Sequence, residues 1–589
     1  MLKRFFITML GTMAGMWISA IIAVFIIFTI IGAAIGSSAS DSAVKVEKHS
    51  ILFFDLSGEV AERSSSKSFM QMIQEEQSSA PTLQEMISAL KLAKEDKKIE
   101  GLYLQCNGAS MGSASREELL QAIADFKESG KWIYAYADTY DQGDYVIATT
   151  ADHLVLNPQG AVNVHGVGGT TPFFKGLLDK LGVKVQIFKV GTFKSAVEPF
   201  MLDKMSEPAR MQMQQFCDTM WLAAASTISQ NRNINLEQVN KLASELIYTR
   251  PAQTFVEDNL VDKLEYRRVS TDALKELSGI KSTDALRLVS PSDYLSTRQN
   301  PFSFATAGKH IAVLYAVGDI VDSGRDGIVG PRMVDQIVEL ADDDDVLGMV
   351  LRVNSPGGSA FASEQIWEAL NYFKSKNKKL YVSMGDYAAS GGYYISCGAD
   401  KIFADRTTIT GSIGVFGMIP DLSGLVTDKF GITFSTVETN PNAMLASTVE
   451  PLSAAQKDAI QRSVENIYDL FTSRVADGRH LSQDSVKAIA EGRVWIGSRA
   501  IQIGLVDEIG SLTDAVNAMV DQYDISSNDV KAYPQVKEKI WEQILRESGG
   551  LDDLKVPAFD TRTLQELEMV ARLREANPIQ ARMELMYFE

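Results

Sequence analysis

The chain has 589 residues, of which 45% are apolar and 22% are charged, and its formal net charge is −18. This composition is that of a folded globular protein and argues against a disordered chain. A chain of this length exceeds what a single hydrophobic core usually serves, so we expect two folded units of similar size. The acidic balance is the wrong sign for binding nucleic acid, and we predict no nucleic-acid partner.

The first predicted element is an apolar segment at the N-terminus. Phe5 to Ile35 carry no charge, and a membrane-spanning helix needs only about 20 such residues. Lys3 and Arg4 precede the segment, so the positive-inside rule leaves the short N-terminus in the cytoplasm and the body of the protein outside it. A cleaved signal peptide is the alternative, but its apolar core runs only about 7–15 residues. We therefore predict an uncleaved, single-pass anchor within residues 1–40.

The rest of the chain carries one pattern twice. Three predicted strands recur in the same order in both halves, with Ile51–Val60, Ile99–Leu104 and Lys131–Asp138 matching Ile311–Ile320, Val346–Leu351 and Lys379–Asp386. A shared order of this kind indicates an internal repeat. Helical stretches such as Leu83–Ala93 and Met333–Leu340 alternate with the strands, which is typical of βαβ units and a largely parallel sheet.

The repeat predicts the domain organisation. We expect two tandem α/β domains that form a pseudo-dimer, the first over residues 45–300 and the second over residues 305–535. Residues 536–589 have no counterpart in the other half. Their charge and helix propensity predict a helical tail.

The second half carries two glycine-containing motifs that the first half lacks. Asn354-Ser-Pro-Gly-Gly-Ser359 aligns with Asn107-Gly-Ala-Ser-Met-Gly112, which has neither a proline nor adjacent glycines. Asp386-Tyr-Ala-Ala-Ser-Gly-Gly-Tyr393 aligns with Asp138-Thr-Tyr-Asp-Gln-Gly-Asp-Tyr145, so that Ser390 stands where the first half has Gln142. The two halves therefore differ at positions that can carry chemistry.

Ser390 lies where a predicted strand gives way to a helix. Its hydroxyl is expected near the positive end of the helix dipole, and the N–H of Gly391 can approach an oxygen closely because glycine has no Cβ. The turn with Gly357 and Gly358 can supply a second N–H, and two convergent donors are what an oxyanion hole requires. The alternative is that Ser390 only caps the helix, as serines often do. The paired Pro-Gly-Gly turn favours a serine nucleophile.

A serine nucleophile needs a base that accepts its proton. The chain has five histidines, which are His49, His153, His165, His310 and His480. No histidine falls near the motifs of the Ser390 half, and His165 aligns with Ile413, so a Ser-His-Asp triad is poorly supported.

Lysine is the other known partner of a nucleophilic serine. The stretch from Phe188 to Phe200 holds Lys189 and Lys194, and the aligned stretch of the second half has no lysine. Lys194 follows Phe193, and an apolar pocket would lower the lysine pKa as a general base requires. The alternative is a surface lysine whose aliphatic stem packs on the phenylalanine.

Two other groups offer alternative chemistry. Cys397 lies seven residues after Ser390, so a thiol nucleophile is a rival, although a free cysteine in an apolar stretch is usually a small core residue. The three cysteines, Cys106, Cys217 and Cys397, form no C-x-x-C pair.

The acidic run 342–345 would suit a metal, but no spaced His or Glu ligands accompany it. We predict no metal and no cofactor.

Three motifs together resemble the signal peptide peptidase A family, also called protease IV (peptidase family S49), in its long two-domain form. They are Asp386–Tyr394, Gly411–Gly417 and Phe193–Phe200, and the resemblance runs from the apolar segment to about residue 530. The resemblance implies a crotonase-like fold related to the Clp protease, built twice per chain. By motif position it implies that Ser390 is the nucleophile, Lys194 the general base, Gly391 an oxyanion donor and Ser412 a serine that positions the lysine.

The resemblance also implies a biological setting. It implies a homotetrameric bowl on the bacterial inner membrane, with the catalytic body on the extracytoplasmic side, that degrades signal peptides already cut from secreted proteins. A dyad shared between halves places the site at their interface, so neither half is expected to be active alone. One rival is a crotonase-like acyl-CoA hydratase or isomerase, against which the predicted anchor argues. A second rival is a non-catalytic membrane-anchored scaffold, against which the serine and lysine motifs argue.

Overall fold

The structure is a computed structural model that describes residues 46–63, 81–297, 308–324, 326–445, 447–526, 529–534 and 579–583. The predicted membrane anchor, residues 1–40, lies outside these ranges. Within the residues described, no helix is long and apolar enough to cross a membrane.

The first half is built on a parallel six-stranded sheet with the order β6-β4-β3-β2-β1-β7. The strands of this half are β1 (Ser50–Glu59), β2 (Ile99–Ser110), β3 (Trp132–Ala137), β4 (His153–Leu156), β5 (Lys184–Lys189), β6 (Lys263–Leu264) and β7 (Leu288–Val289). The helices are α1 (Leu83–Glu95), α2 (Ser113–Lys127), α3 (Gln142–Ala148), α4 (Lys175–Leu181), α5 (Glu198–Met201), α6 (Glu207–Arg232), α7 (Leu236–Ser244), α8 (Gln253–Glu257), α9 (Arg267–Leu277) and α10 (Pro291–Ser296), with 3-10 turns at Ser195–Val197 and Ile247–Thr249.

The second half has a sheet with the order β17-β15-β13-β11-β8-β19, and β14 and β18 extend it beside β13. The strands are β8 (His310–Val317), β9 (Ile320–Val321), β10 (Ile328–Val329), β11 (Val346–Ser355), β12 (Gly357–Ser359), β13 (Lys379–Ala389), β14 (Lys401–Ala404), β15 (Ile409–Gly411), β16 (Phe416–Asp421), β17 (Val494–Ile496), β18 (Glu508–Ile509), β19 (Val530–Tyr533) and β20 (Ile579–Arg582). The helices are α11 (Gly330–Asp342), α12 (Ala360–Ser375), α13 (Gly391–Ser396), α14 (Ala454–Arg479), α15 (Gln483–Ile489), α16 (Gly497–Ala500) and α17 (Leu512–Tyr523), with a π-helical turn at Leu425–Lys429 and a 3-10 turn at Ile501–Ile503.

The central strands of both sheets are buried because helices cover both faces. β11 reads Val-Leu-Gly-Met-Val-Leu-Arg-Val-Asn-Ser, and eight of its ten residues are buried. Such a continuous apolar run is what a strand of a doubly covered parallel sheet requires. The predicted alternation of strands and helices in two tandem α/β domains is therefore confirmed, whereas the boundaries at 45–300 and 305–535 stay predictions.

The two domains also repeat a long helix and the arginine–aspartate ion pair at its end. α6 and α14 are both 26-residue helices, and each begins after a serine whose side chain accepts an N–H of the first turn. Each helix ends in an arginine that reaches the same kind of partner, Arg232 to Asp262 at 2.6 Å and Arg479 to Asp507 at 2.5 Å. The two domains therefore share packing details as well as the order of their elements.

A third sheet joins the two domains. Its order is β10-β9-β12-β20-β16-β5, and β5 of the first domain pairs antiparallel with β16 of the second. The register runs from Lys184 opposite Asp421 to Lys189 opposite Phe416. This pairing fixes where the residues after β5 meet the second domain.

The same sheet contains a strand from the region predicted to be a helical tail. β20 lies between β12 and β16 and pairs antiparallel with both. Within the tail, residues 579–583 are thus extended, because their backbone groups bond to two neighbouring strands rather than to each other. The helical character of residues 536–578 stays a prediction that falls outside the described residues.

A buried ion cluster also ties the domains together. Arg352 on β11 is fully buried, and its Nε lies 2.7 Å from Glu62 Oε1 and its Nη1 2.6 Å from Glu118 Oε1. Both carboxylates belong to the first domain. Burial raises the pKa of Glu118, and the nearby guanidinium of Arg352 opposes that rise.

Removing the arginine should destabilise the protein, because two buried carboxylates would lose their counter-charge. We expect Arg352→Met to lower the free energy of unfolding by about 3–5 kcal/mol, seen as a lower urea midpoint at neutral pH. The matched control is Lys379→Met, which breaks the more exposed pair with Asp400 and should cost only about 0–1 kcal/mol. Equal shifts of the midpoint in the two variants would contradict this account of the cluster.

Candidate active site

Ser390 stands between β13 and α13 in a strained conformation. Its φ is 56° and its ψ is −113°, a combination that non-glycine residues rarely adopt. The backbone is held on both sides, since the N–H donates to Gly411 O at 2.8 Å and the C=O accepts from Tyr394 N at 2.8 Å. The side chain makes no capping hydrogen bond to α13. The interpretation of Ser390 as only a helix cap is therefore wrong, and its hydroxyl points to other partners.

Lys194 follows β5 and immediately precedes the 3-10 turn Ser195–Val197. Only 1% of this lysine is exposed, so the interpretation as a surface lysine is also wrong. The backbone beside Lys194 is hydrogen-bonded to the second domain, because Phe193 N donates to Glu491 O at 2.9 Å. A methyl group on Gly492, whose φ is +75°, would come within 2.6 Å of Lys194 Cβ. Close approach of the two domains at this point therefore depends on a glycine.

The structure brings Lys194 and Ser390 into direct contact across the domain interface. Lys194 Nζ lies 2.8 Å from Ser390 Oγ, although the residues are 196 positions apart. The same nitrogen lies 3.1 Å from Ser412 Oγ and 3.2 Å from Ser412 O. These are hydrogen-bond distances, and a serine hydroxyl this close to an amine can pass its proton to it.

The surroundings of Lys194 favour its neutral form. Burial lowers the pKa of the lysine well below its usual value. Its three side-chain contacts are to uncharged oxygens of Ser390 and Ser412, which do not provide the counter-charge that would restore the ammonium. A buried amine of this kind can accept a proton near neutral pH.

Ser412 is positioned by its own backbone. Its φ is 51°, and its N–H donates to Arg493 O at 2.7 Å. The hydroxyl is directed toward Gly492 O at 3.5 Å, which leaves its lone pairs free to accept from Lys194. The arrangement fixes Lys194 Nζ between two serines.

The glycines predicted to form the oxyanion hole converge beside Ser390. A Cβ on Gly357 (φ +102°) would lie 2.7 Å from Gly391 N, so these backbones touch. The Gly357 N–H is already engaged with Ser355 Oγ at 3.2 Å. Gly358 (φ +154°) could carry no side chain, because a Cβ there would lie 2.0 Å from Ile320 O. Gly357 therefore serves the turn, and the amides of Gly391 and Gly358 stay the predicted oxyanion donors.

The other candidates lie in settings that do not support catalysis. Gln142, which aligns with Ser390, donates to Gly166 O at 2.8 Å and holds the loop that carries His165. His165 is exposed beside Gln142 and belongs to the first domain. Cys397 is fully buried, and burial raises the pKa of its thiol to about 12, opposite to what a thiolate nucleophile needs. Asp342 forms an ion pair with Lys376 at 2.8 Å.

Sequence reasoning missed the parts of the site that only close contact reveals. The sequence does not single out Gly492, because a glycine before a strand has many explanations. The strand β20 was not expected, because only four of its residues pair and their pattern is short. A glycine aligned with a longer side chain in the other half would have been the signal for Gly492.

Comparison with known proteins agrees with a repeated peptidase domain. The sequence profile of Peptidase family S49 matches residues 125–281 and 372–526, and that of Clp protease matches residues 324–410. The chain is 38% identical to Protease 4 of Haemophilus influenzae over 447 residues. This matched region covers 74% of this chain and 72% of that protein. It is 26% identical over 558 residues to the chloroplastic serine protease SPPA of Arabidopsis thaliana, covering 92% and 79%. It is 34% identical over 233 residues to a protein of Enterococcus faecium named a signal peptide peptidase, covering 38% and 67%.

Ser412→Ala should weaken the positioning of Lys194 and shift the pH dependence of Ser390 reactivity. Loss of one hydrogen bond should slow labelling of Ser390 by a serine-reactive phosphonate roughly tenfold. A lysine that acts as the base has to be neutral, so labelling should be present above its pKa and lost as the pH falls through it. Because Ser412 Oγ accepts from the ammonium, its removal should lower the lysine pKa further and move the acidic limb to lower pH. An unchanged rate and limb would contradict this role.

Proposed function

Because the chain belongs to peptidase family S49 and is a serine peptidase, we propose that Ser390 is its nucleophile and Lys194 its general base. The observation that carries this proposal is the 2.8 Å contact between Lys194 Nζ and Ser390 Oγ. Among the residues that the structure describes, the lysine is buried without a carboxylate partner, and the serine is strained and makes no side-chain cap. Each residue therefore lacks a simpler structural purpose.

The proposed reaction begins with transfer of the Ser390 proton to neutral Lys194. The serine oxygen attacks the carbonyl carbon of a peptide bond, and the amides of Gly391 and Gly358 donate to the oxygen that becomes negative. Lys194 then gives its proton to the leaving amine, which leaves an acyl-enzyme on Ser390. A water molecule that loses its proton to Lys194 releases the acyl group and restores the serine.

Division of the site between domains has a chemical purpose in this proposal. Lys194 reaches Ser390 only because β5 pairs with β16 and Gly492 admits the lysine backbone. A desolvated amine is costly to hold, and the two packed domains exclude water from it more fully than one surface could. We therefore infer that neither domain alone is active.

We propose that the substrates are apolar peptides, in particular signal peptides left in the membrane after they have been cut from secreted proteins. An apolar cluster that includes Phe216, Met220, Ile409 and Val494 borders the strand position beside β12 and fits apolar side chains. The Enterococcus relative is named a signal peptide peptidase. Apolar side chains at this position suit substrates that begin in a bilayer.

The proposed setting follows from the N-terminal sequence and the family. Phe5–Ile35 would anchor the chain as a single helix in the bacterial inner membrane, with the body on the extracytoplasmic side. We propose that four chains assemble into a bowl on the membrane. The uncharged run and the preceding Lys3 and Arg4 support the anchor and its orientation.

The test of the dyad is hydrolysis of an apolar peptide ester by the purified full-length chain in detergent. Ser390→Ala and Lys194→Met should each lower kcat by about a thousandfold or more, because neither nucleophile nor base can be replaced by neighbours. Lys184→Met is the matched control, since Lys184 is exposed at the far end of β5 and should leave turnover unchanged. Far-ultraviolet circular dichroism verifies that each variant is folded.

Normal turnover by folded Ser390→Ala or Lys194→Met would refute the dyad. Faster hydrolysis of charged peptide esters than of apolar ones would refute the proposed substrate class and leave the dyad standing.

A further inference from the structure

Asp386 lies on β13, four residues before Ser390, yet its side chain contacts the first domain. Its Oδ1 accepts from Ala114 N at 2.9 Å and from Ser115 N at 3.1 Å, and its Oδ2 accepts from the Ser115 hydroxyl at 2.5 Å. Ala114 and Ser115 stand in the first turn of α2, where backbone N–H groups have no partner within the helix. Asp386 therefore caps a helix of the other domain.

The helix α2 depends on this outside cap, because its own capping position is Gly112, which has no side chain. The aligned residue of the second half is Ser359, whose hydroxyl accepts from Ala362 N at 3.2 Å and caps α12 from within. A Cβ on Gly112 would lie 2.0 Å from Asp386 Cγ, so the carboxylate fills the space that a capping side chain would need. The two halves thus cap equivalent helices in different ways.

The aspartate at the matching position of the first half bonds within its own domain. Asp138 accepts from Tyr136 OH at 2.9 Å and from Asn157 Nδ2 at 2.8 Å, and it forms an ion pair with Arg267 at 3.2 Å. All three partners belong to the first domain. The cross-domain cap is therefore a property of Asp386 and not of the repeated motif.

The strand β13 is irregular at Asp386. Val353 of β11 pairs with Met384 and Ser355 pairs with Ala388, so three residues of β13 stand opposite one residue of β11. Such a bulge interrupts the ladder of backbone bonds and re-aims side chains, often beside active sites. The bonds from Asp386 to α2 therefore help to hold a stretch of β13 that lacks regular pairing with β11.

The bulge leads directly to both serines of the site. Residues 387–389 pair with residues 409–411 of β15. The residues that follow these two paired segments are Ser390 and Ser412, and both lie within hydrogen-bond distance of Lys194 Nζ. A shift of the bulge would therefore move both serines relative to the lysine, which the first domain supplies.

We propose that Asp386 is a positioning residue that fixes Ser390 at the correct distance from Lys194. The inference rests on the proposed Ser/Lys function. Asp386 acts through β13 and takes no part in the bond-forming steps. Its carboxylate ties the strand that ends at the nucleophile to α2 of the domain that supplies the base. The negative charge suits the positive end of this 15-residue helix, which strengthens the tie.

The alternative is that Asp386 only stabilises α2 or the interface, as the Arg352 cluster does through Glu118 on the same helix. A stabilising residue changes the free energy of unfolding but leaves kcat of the folded protein unchanged. A positioning residue changes kcat of the folded protein, because a displacement of about 1 Å in the reacting groups can cost about a hundredfold in rate. The two roles separate when α2 receives a different cap.

The experiment measures kcat and KM for the apolar peptide ester, and the urea midpoint, on the full-length chain in detergent. Asp386→Ala should lower kcat by roughly tenfold to a hundredfold with little change in KM, and should also lower the midpoint. Gly112→Ser added to Asp386→Ala supplies an internal cap like that of Ser359, so it should recover much of the midpoint and leave kcat low. Asp138→Ala is the matched control and should keep the wild-type kcat.

Wild-type kcat in folded Asp386→Ala would overturn the inference. Recovery of kcat when Gly112→Ser is added would also overturn it, because α2 would then need only a cap. The doubly substituted chain does not depend on the cross-domain bonds for its cap, so it decides the question if Asp386→Ala alone does not fold. Either result leaves the proposed function standing while Ser390→Ala, measured alongside, is inactive. Normal turnover by Ser390→Ala would overturn the proposed function, and the inference with it.

Discussion

The hydrogen bond between Lys194 Nζ and Ser390 Oγ is the contact on which the rest of the account depends. It joins side chains 196 positions apart that belong to different domains, so it exists only if the domains dock in one register. The antiparallel pairing of β5 with β16 sets that register, because a one-residue slip would turn the following side chains to the opposite face. Gly492 then admits the lysine backbone where a side chain would collide with it. Docking of the domains is therefore part of the chemistry of the site.

Burial and strain act together at this contact. Burial lowers the pKa of Lys194, which makes a proton acceptor from a residue that is normally charged. Ser390 is held at a positive φ because its N–H donates to Gly411 O and its C=O accepts from Tyr394 N, which directs its hydroxyl to the lysine and away from the helix. Desolvation and backbone strain both cost free energy, and the packing of two well-formed cores offsets that cost. The Arg352 cluster adds charged contacts between the domains, with carboxylates that do not belong to the dyad.

The repeat made much of this predictable from the sequence, because each half served as a reference for the other. Ser390 and Lys194 stood out as residues present in one half and absent from the other, and the strand–helix alternation predicted two tandem α/β domains. Other features could not be predicted because they arise from contacts between distant segments. The pairing of Arg352 with Glu62 needs the docked domains, and the strand β20 needs two neighbours to form. The membrane anchor and the domain boundaries stay predictions from sequence.

The most direct test of the central claim is the pH dependence of Ser390 labelling by a serine-reactive phosphonate, compared between the wild type and Lys194→Met. A methionine keeps the length and apolar packing of the lysine and removes only the amine. The account predicts that wild-type labelling rises through one ionisation to a plateau. In Lys194→Met labelling should be lost near neutral pH and should increase only with hydroxide concentration. Equal labelling of the two proteins across the pH range would contradict the account, because Ser390 would then be activated without Lys194.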